Sequence, residues 1–166
     1  MGATRGNREI VCQRCGEDGP TVAERGRISL MALLCEACWI AHANDLAIHE
    51  GATDAPRPAP APEDVTLYEP PHCTHCKAEV RPYPTNYDRW INLATRDYPA
   101  KDVPPRYRWR LVTLPARHSS ASTDVVAVRV RGFEPLPSDL VRPAHRAVCL
   151  SPDAMEEVEQ EHVSGM

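Results

Sequence analysis

Cysteine and histidine spacing sets the chemistry open to this chain. Cys12 and Cys15, then Cys35 and Cys38, form two C-x-x-C pairs separated by residues 16–34. Such a pair turns tightly enough to aim two sulfurs at one ion, and two pairs complete a tetrahedron. Four thiolates suit zinc best; an iron centre or a redox pair is the other chemistry this spacing carries. A second set starts with Cys73 and Cys76, which supply half a tetrahedron, and Cys149 adds a third thiol. The natural fourth ligand is an imidazole. His145, four residues before Cys149, is the first choice, with His72, His75, His118 or a water competing. Cys149 also reads, less economically, as a small buried hydrophobe.

A shell of four protein ligands leaves no open position for a substrate, so both ions are expected to staple rather than catalyse. The familiar catalytic patterns are missing as well. Zinc nucleotide deaminases need H-x-E ahead of P-C-x-x-C, whereas Cys73 follows His72, and the upstream histidines sit in His42-Ala43-Asn44 and His49-Glu50-Gly51. There is no H-E-x-x-H, no G-x-S-x-G and no phosphate-cradling glycine loop. The expectation is a protein that is not an enzyme, with two structural Zn2+ ions and no small-molecule substrate in evidence.

The elements that must position these ligands follow from pattern. Gly16, just after the second cysteine, suits the positive φ that closes a metal-gripping turn. Residues 21–34 read as two short strands around Gly26. Trp39, Ala43, Leu46 and Ala47 recur at helical spacing, so the chain turns helical from Trp39 to Glu50, with Gly51 as C-cap. Knuckle, hairpin, second pair and helix is the order of a treble clef over residues 10–51. His42 and His49 are expected outside the shell. Residues 52–71, with alternating Ala and Pro, read as a semi-rigid spacer. Residues 72–150 read as a mostly antiparallel β, zinc-ribbon-like module. Within it 83–88 and 99–105 are expected as turns, and 89–95, 106–114 and 124–131 as strands. Residues 151–166 form an acidic tail expected to be disordered. The fold class is a small zinc-stapled α+β protein. With one Phe among nine aromatics, neither module can build a large core without its metal.

Charge divides along the same boundaries. Residues 72–149 carry 13 basic and 7 acidic side chains, whereas 150–166 carry five acids and no Lys or Arg. Arg106, Arg108 and Arg110 alternate on one strand, and Arg129 and Arg131 lie on the next. Together they would make a basic sheet face able to neutralise phosphates, so nucleic acid is the first partner to consider. A protein-interaction adaptor is the alternative, because small zinc modules offer docking surfaces and a proline spacer could hold two of them apart. Residues 1–6 lack an apolar targeting region, and no apolar run nears the ~20 residues needed to cross a bilayer. An odd cysteine count also argues against a disulfide framework, so a reducing cytoplasm and no membrane partner are expected.

Several short motifs of the second module occur together: Tyr87-Asp88-Arg89-Trp90, Val103-Pro104-Pro105, Tyr107-Arg108-Trp109-Arg110 and His145-Arg146-Ala147-Val148-Cys149. In these the chain resembles an uncharacterised zinc-binding-type domain family of high-GC filamentous soil bacteria, a domain of unknown function, over roughly residues 72–150. The resemblance implies a small β domain anchored on a cysteine pair, and brings no activity with it. Seventeen arginines against two lysines agree with a high-GC source.

Overall fold

The computed structural model describes residues 10–53, 71–116, 123–131 and 135–149. Most of the expected spacer, the acidic tail and His118 lie outside the described residues. The fold is a small α+β arrangement of one α-helix and antiparallel sheets among the described residues.

Strands β1 (Ala23–Arg25) and β2 (Ala32–Leu34) pair antiparallel, with Ala23 opposite Leu34, and lead directly into α1 (Glu36–Glu50). Cys35, in extended conformation, is the residue from which the helix starts. Trp39, Ala43 and Ala47 fall on one helical face and are buried there with Leu34, Cys12 and Cys35. The helix ends where Gly51 donates its N–H to Ala47 O.

The second region is built on β3 (Arg81–Pro84), β4 (Trp90–Leu93), β5 (Tyr98–Pro99), β6 (Arg108–Pro115), β7 (Thr123–Arg129) and β8 (Leu140–Pro143). β3 pairs only with β4, while the other four form a sheet ordered β5-β8-β6-β7. Its core gathers Ile91, Leu93, Val103, Tyr107, Trp109 and Val141. Fully burying a large apolar side chain contributes ~1.5–3 kcal/mol, so a core of this size holds little in reserve.

Two local expectations need correction. Residues 83–84 are strand rather than loop, because β3 sits at the margin of its sheet, where Pro82 and Pro84 need donate no ladder hydrogen bond. The strand expected from Arg106 starts at Arg108, since Pro105–Tyr107 make a 3-10 turn in which Tyr107 donates to Pro104 O. Trp109 is fully buried, as the lack of other large side chains requires, but Trp90 is only half-buried.

The two regions meet directly. Tyr87, at the loop between β3 and β4, is 0% exposed and lies in the core of the first region, against the face that carries Trp39 and Ala43. Around it the contacts are polar and paired. Arg27 N–H donates to Asn86 O at 2.9 Å, and Asn86 Nδ2 donates back to Arg27 O at 3.2 Å. Arg89 gives Nε and Nη2 to Asn44 Oδ1 at 3.2 and 2.9 Å, and Arg27 reaches Asp124 at 2.9 Å. Thr53 and Trp90 exchange backbone hydrogen bonds, and Glu50 pairs with Arg131.

Candidate metal centres

The first centre begins with a turn closed twice by backbone. Cys12 N–H donates to Glu17 O, and Gly16 N–H donates to Cys12 O, each at 2.8 Å. Gly16 has φ +76°, the left-handed value that glycine takes without steric cost. A bridge between Val11 and Asp18 fixes the arms of the turn, so the sulfurs of Cys12 and Cys15 point the same way. Cys35 is the N-cap of α1 and Cys38 lies in its first turn, so the start of the helix sets both sulfurs. Cys15 Sγ lies 3.8 Å from Cys35 Sγ, and all four sulfurs fall within 4.8 Å of one another.

The thiols split in acidity. Backbone hydrogen bonds from Cys15 and Cys35 bring Cys12 down to about 6, against burial. Cys38 is pushed up to about 12, by its hydrogen bond with Cys35 first and by burial next. Cys15 takes a backbone hydrogen bond from Glu17 that lowers it, yet the Cys12 thiol and burial leave it raised. At Cys38 the Cys35 hydrogen bond and burial, and at Cys15 the Cys12 thiol and burial, thus oppose further ionisation. A divalent cation removes that conflict, and the donor set fits one.

The second centre repeats the turn. Cys73 N–H donates to Ala78 O at 2.8 Å, Lys77 N–H donates to Cys73 O at 3.0 Å, and His72 bridges Glu79. Here the residue with positive φ is Lys77, at +62°. The other two ligands hang from the 3-10 turn His145–Val148, which follows β8 and is tied back where Ala144 N–H meets Tyr107 O. Cys76 Sγ lies 3.3 Å from His145 Nε2, and Cys73 Sγ lies 3.8 Å from Cys149 Sγ. Burial raises Cys73, but backbone hydrogen bonds from Cys76 and His75 outweigh it and lower the thiol overall. Burial lowers His145, which keeps its imidazole neutral and fit to bind a cation.

Both expected sets thus come together: Cys12, Cys15, Cys35 and Cys38 in one group, and Cys73, Cys76, His145 and Cys149 in the other. Of the histidines that compete with His145, His72 and His75 are exposed and outside the group. His42 packs beside Trp39, and His49 Nδ1 contacts Asp45 O, both outside the first group as expected.

The five arginines of the expected basic face are divided. Strand register puts Arg129 opposite Trp109, on the core-facing side, whereas Arg108 and Arg110 share the other side. Arg129 Nη1 donates to Pro105 O at 2.6 Å and Arg108 O at 3.0 Å, and burial lowers its guanidinium to about 10. Arg108 Nε donates to Val103 O at 2.7 Å, Arg131 pairs with Glu50, and Arg106 stacks over the Tyr107 ring at 5.3 Å. Arg110 is exposed. Sequence reasoning met Tyr87 only in a family-like motif and did not single out Asn86, Arg27 or Asn44; isolated polar residues carry no periodicity that would mark them as interface.

No helix among the described residues is long and apolar enough to cross a membrane. No curated protein and no solved structure matches the chain. A family model does match, over residues 47–164, wider than the expected 72–150; it takes in Cys73, Cys76, His145 and Cys149 and leaves the first cysteine set outside. By that match the chain belongs to DUF6083, a family of unknown function.

Proposed function

We propose that this is a non-catalytic zinc protein in which two structural ions hold a treble-clef-like first module and a zinc-ribbon-like second module as one interaction scaffold. The carrying observation is the spacing of the donor atoms. Zinc–sulfur bonds of ~2.3 Å in a tetrahedron place sulfurs ~3.8 Å apart, and a ~2.05 Å zinc–nitrogen bond brings nitrogen and sulfur to ~3.6 Å. The two sulfur pairs sit at 3.8 Å, and the sulfur–imidazole pair at 3.3 Å. Thiolate-rich sets with one or no imidazole favour zinc over the harder divalent ions. Four ligands from the chain at each centre fill the shell, which supports a structural role.

For the partner, a protein is better supported than a nucleic acid. Arg108, Arg129 and Arg131 spend guanidinium donors on carbonyls or a carboxylate of this chain, and Arg110 and Arg131 are the exposed members of the set. A phosphate-binding face needs several arginines displayed together.

Native mass spectrometry of the full chain tests the metal reading: two zinc ions per chain are expected, falling to one in Cys149→Ser. A single ion in the unaltered protein overturns the second centre. Titration with single- and double-stranded DNA and RNA at low and high salt tests the partner reading. Binding that falls steeply with salt and is lost in Arg110→Ala would return nucleic acid to first place.

A further inference from the structure

An open groove of about 570 Å³ runs between the β1–β2 turn and the end of β6. No residue of the two metal-holding groups lines it. Its walls are apolar, with Ile28 and Met31 from the turn and Leu114 and Pro115 from the strand. Met31 is 55% exposed and Ile28 39%, in a chain short of large apolar side chains for its core. Ile28 also opens its 3-10 turn at φ +60°, a left-handed value that a β-branched residue takes only under strain. Asn or Gly would fit that angle more easily, and a polar residue would suit an exposed turn. Folding alone thus gives little reason for isoleucine here, whereas contact with an apolar partner does.

On the reading that the partner is a protein, we propose that this groove docks an extended segment of it, one that sets a large apolar residue beside a Lys or Arg. The walls select the apolar residue, whose burial removes apolar surface of both molecules from water. Charge selects its neighbour. Glu24 and Arg27 are the charged residues of the lining, and Arg27 is met by Asp124 at 2.9 Å. Glu24 is exposed, and its carboxylate has no ion pair or hydrogen bond among the described residues. The groove is therefore anionic on balance, and an acidic segment would be repelled. Backbone selects the extended shape. Leu33 donates its N–H to Gln13 Oε1 at 3.1 Å and accepts from Gln13 N–H at 2.9 Å, so it exchanges no hydrogen bonds with β1. Glu24, opposite Leu33, accordingly turns its own N–H and carbonyl away from β2, to the edge of β1 that no strand covers among the described residues. A segment laid along that edge gains main-chain hydrogen bonds while alternate side chains reach the walls.

The test selects a random dodecapeptide library on phage against the full metal-loaded chain. The best peptide, made synthetically, is then titrated into chain labelled at isoleucine and methionine methyls. Selected sequences are expected to share Leu, Ile, Phe or Met next to Lys or Arg. Binding should shift the Ile28 and Met31 methyls saturably and leave Ile10, Ile40, Ile48 and Ile91 in place. Met31→Ser should weaken the peptide about tenfold and Glu24→Gln about threefold, whereas Arg110→Gln should not weaken it. Ile28→Asn should weaken it about fivefold yet leave the melting midpoint of the free chain unchanged or higher, which a merely structural isoleucine would not do. A library that yields no binder, or binders lacking the apolar–basic pair, overturns the proposal, as does equal affinity for Met31→Ser. Ile28 and Met31 methyls that move with chain concentration alone, with a dimer in sedimentation, give the groove to a second copy and overturn it too. Salt-sensitive nucleic-acid binding lost in Arg110→Ala would sink the protein reading without moving these methyls, so the two fail separately.

Discussion

In backbone the two cysteine turns are near copies. Each begins with a cysteine N–H donated across the turn at 2.8 Å, to Glu17 O in one and Ala78 O in the other. Each closes with an N–H returned to that first cysteine's carbonyl, and each is flanked by a bridge. They differ in what completes them. The first borrows the start of a helix, so its four ligands lie within residues 12–38; the second reaches across the whole β region to residues 145–149. Burial does not follow this difference: each centre has two buried ligands, Cys12 and Cys35 in the first and His145 and Cys149 in the second, and Cys15 is the one exposed ligand. A local centre can form while the rest of the chain is unfolded, but the second cannot bind its ion without closing a long loop.

That contrast is most sharply tested by removing one ligand from each. Structural zinc carries ~10–16 kcal/mol in small modules, far above the stability of either core. Cys149→Ser should cost one ion and the near-ultraviolet signal of the β region, with the first region retaining its ion. Cys35→Ser should also cost one ion, but Tyr87 would lose the core that buries it, so the β region should melt earlier as well. Melting curves with metal counts would show this asymmetry; two regions that respond independently would mean the contacts around Tyr87 count for little.

Tyr87→Ala probes the contact itself. Its ring is fully enclosed, so truncation should cost ~3–5 kcal/mol in denaturant unfolding while both ions stay bound. Tyr87→Phe should behave otherwise. The hydroxyl makes no well-formed hydrogen bond; burial pushes it up to about 12 and Thr85 is the side chain that most eases this, so deleting it removes a desolvated polar group and should be close to neutral.

Gly26→Ala is expected to act mainly on the first region, by ~1–3 kcal/mol. A Cβ there would fall 2.4 Å from Leu30 O and 3.1 Å from the Trp39 ring, at φ +78°. Thermal melting should show a larger loss in the first region than in the β region, which feels it only through Arg27 and Tyr87; an unchanged first region would mean the hairpin yields easily.

The two groups that could hold a metal were readable from sequence because cysteine pairs are local and His145 lies one short turn from Cys149. The helix was readable too, since Trp39, Ala43 and Ala47 keep its period and Gly51 ends it. β3 was hidden because Pro82 and Pro84 look like loop unless a strand margin is available for them. The arginine face looked continuous because alternation along β6 says nothing about which side of β7 lies opposite. Register decides that, and register depends on where the β6–β7 connection turns. Tyr87 lies in a loop as expected, but its burial was hidden for a related reason: its partner surface belongs to a different stretch of chain.

The smallest expected effect separates the two turns at the level of one backbone angle. Gly16 takes φ +76° and Lys77 takes +62° in the equivalent place. A residue with a Cβ has a cost of ~1–2 kcal/mol in this region, and glycine loses ~0.4–1 kcal/mol more unfolded-state entropy on folding. The two effects oppose each other, so Lys77→Gly should stabilise the second turn by ~0.5–1 kcal/mol at most. Lys77 also donates from Nζ to Thr74 O at 2.8 Å, an exposed hydrogen bond that trims the gain further. The reciprocal change, Gly16→Lys, meets open space around the new Cβ, so backbone strain is its only steric penalty. It should destabilise by ~0.5–1 kcal/mol, the mirror of the first. Opposite signs of similar size in the two variants, read from denaturant midpoints with zinc in excess, would establish that the turns are equivalent in energy as well as in hydrogen bonding. A large loss in Gly16→Lys with no gain in Lys77→Gly would mean that the first turn is held more tightly than its hydrogen bonds account for.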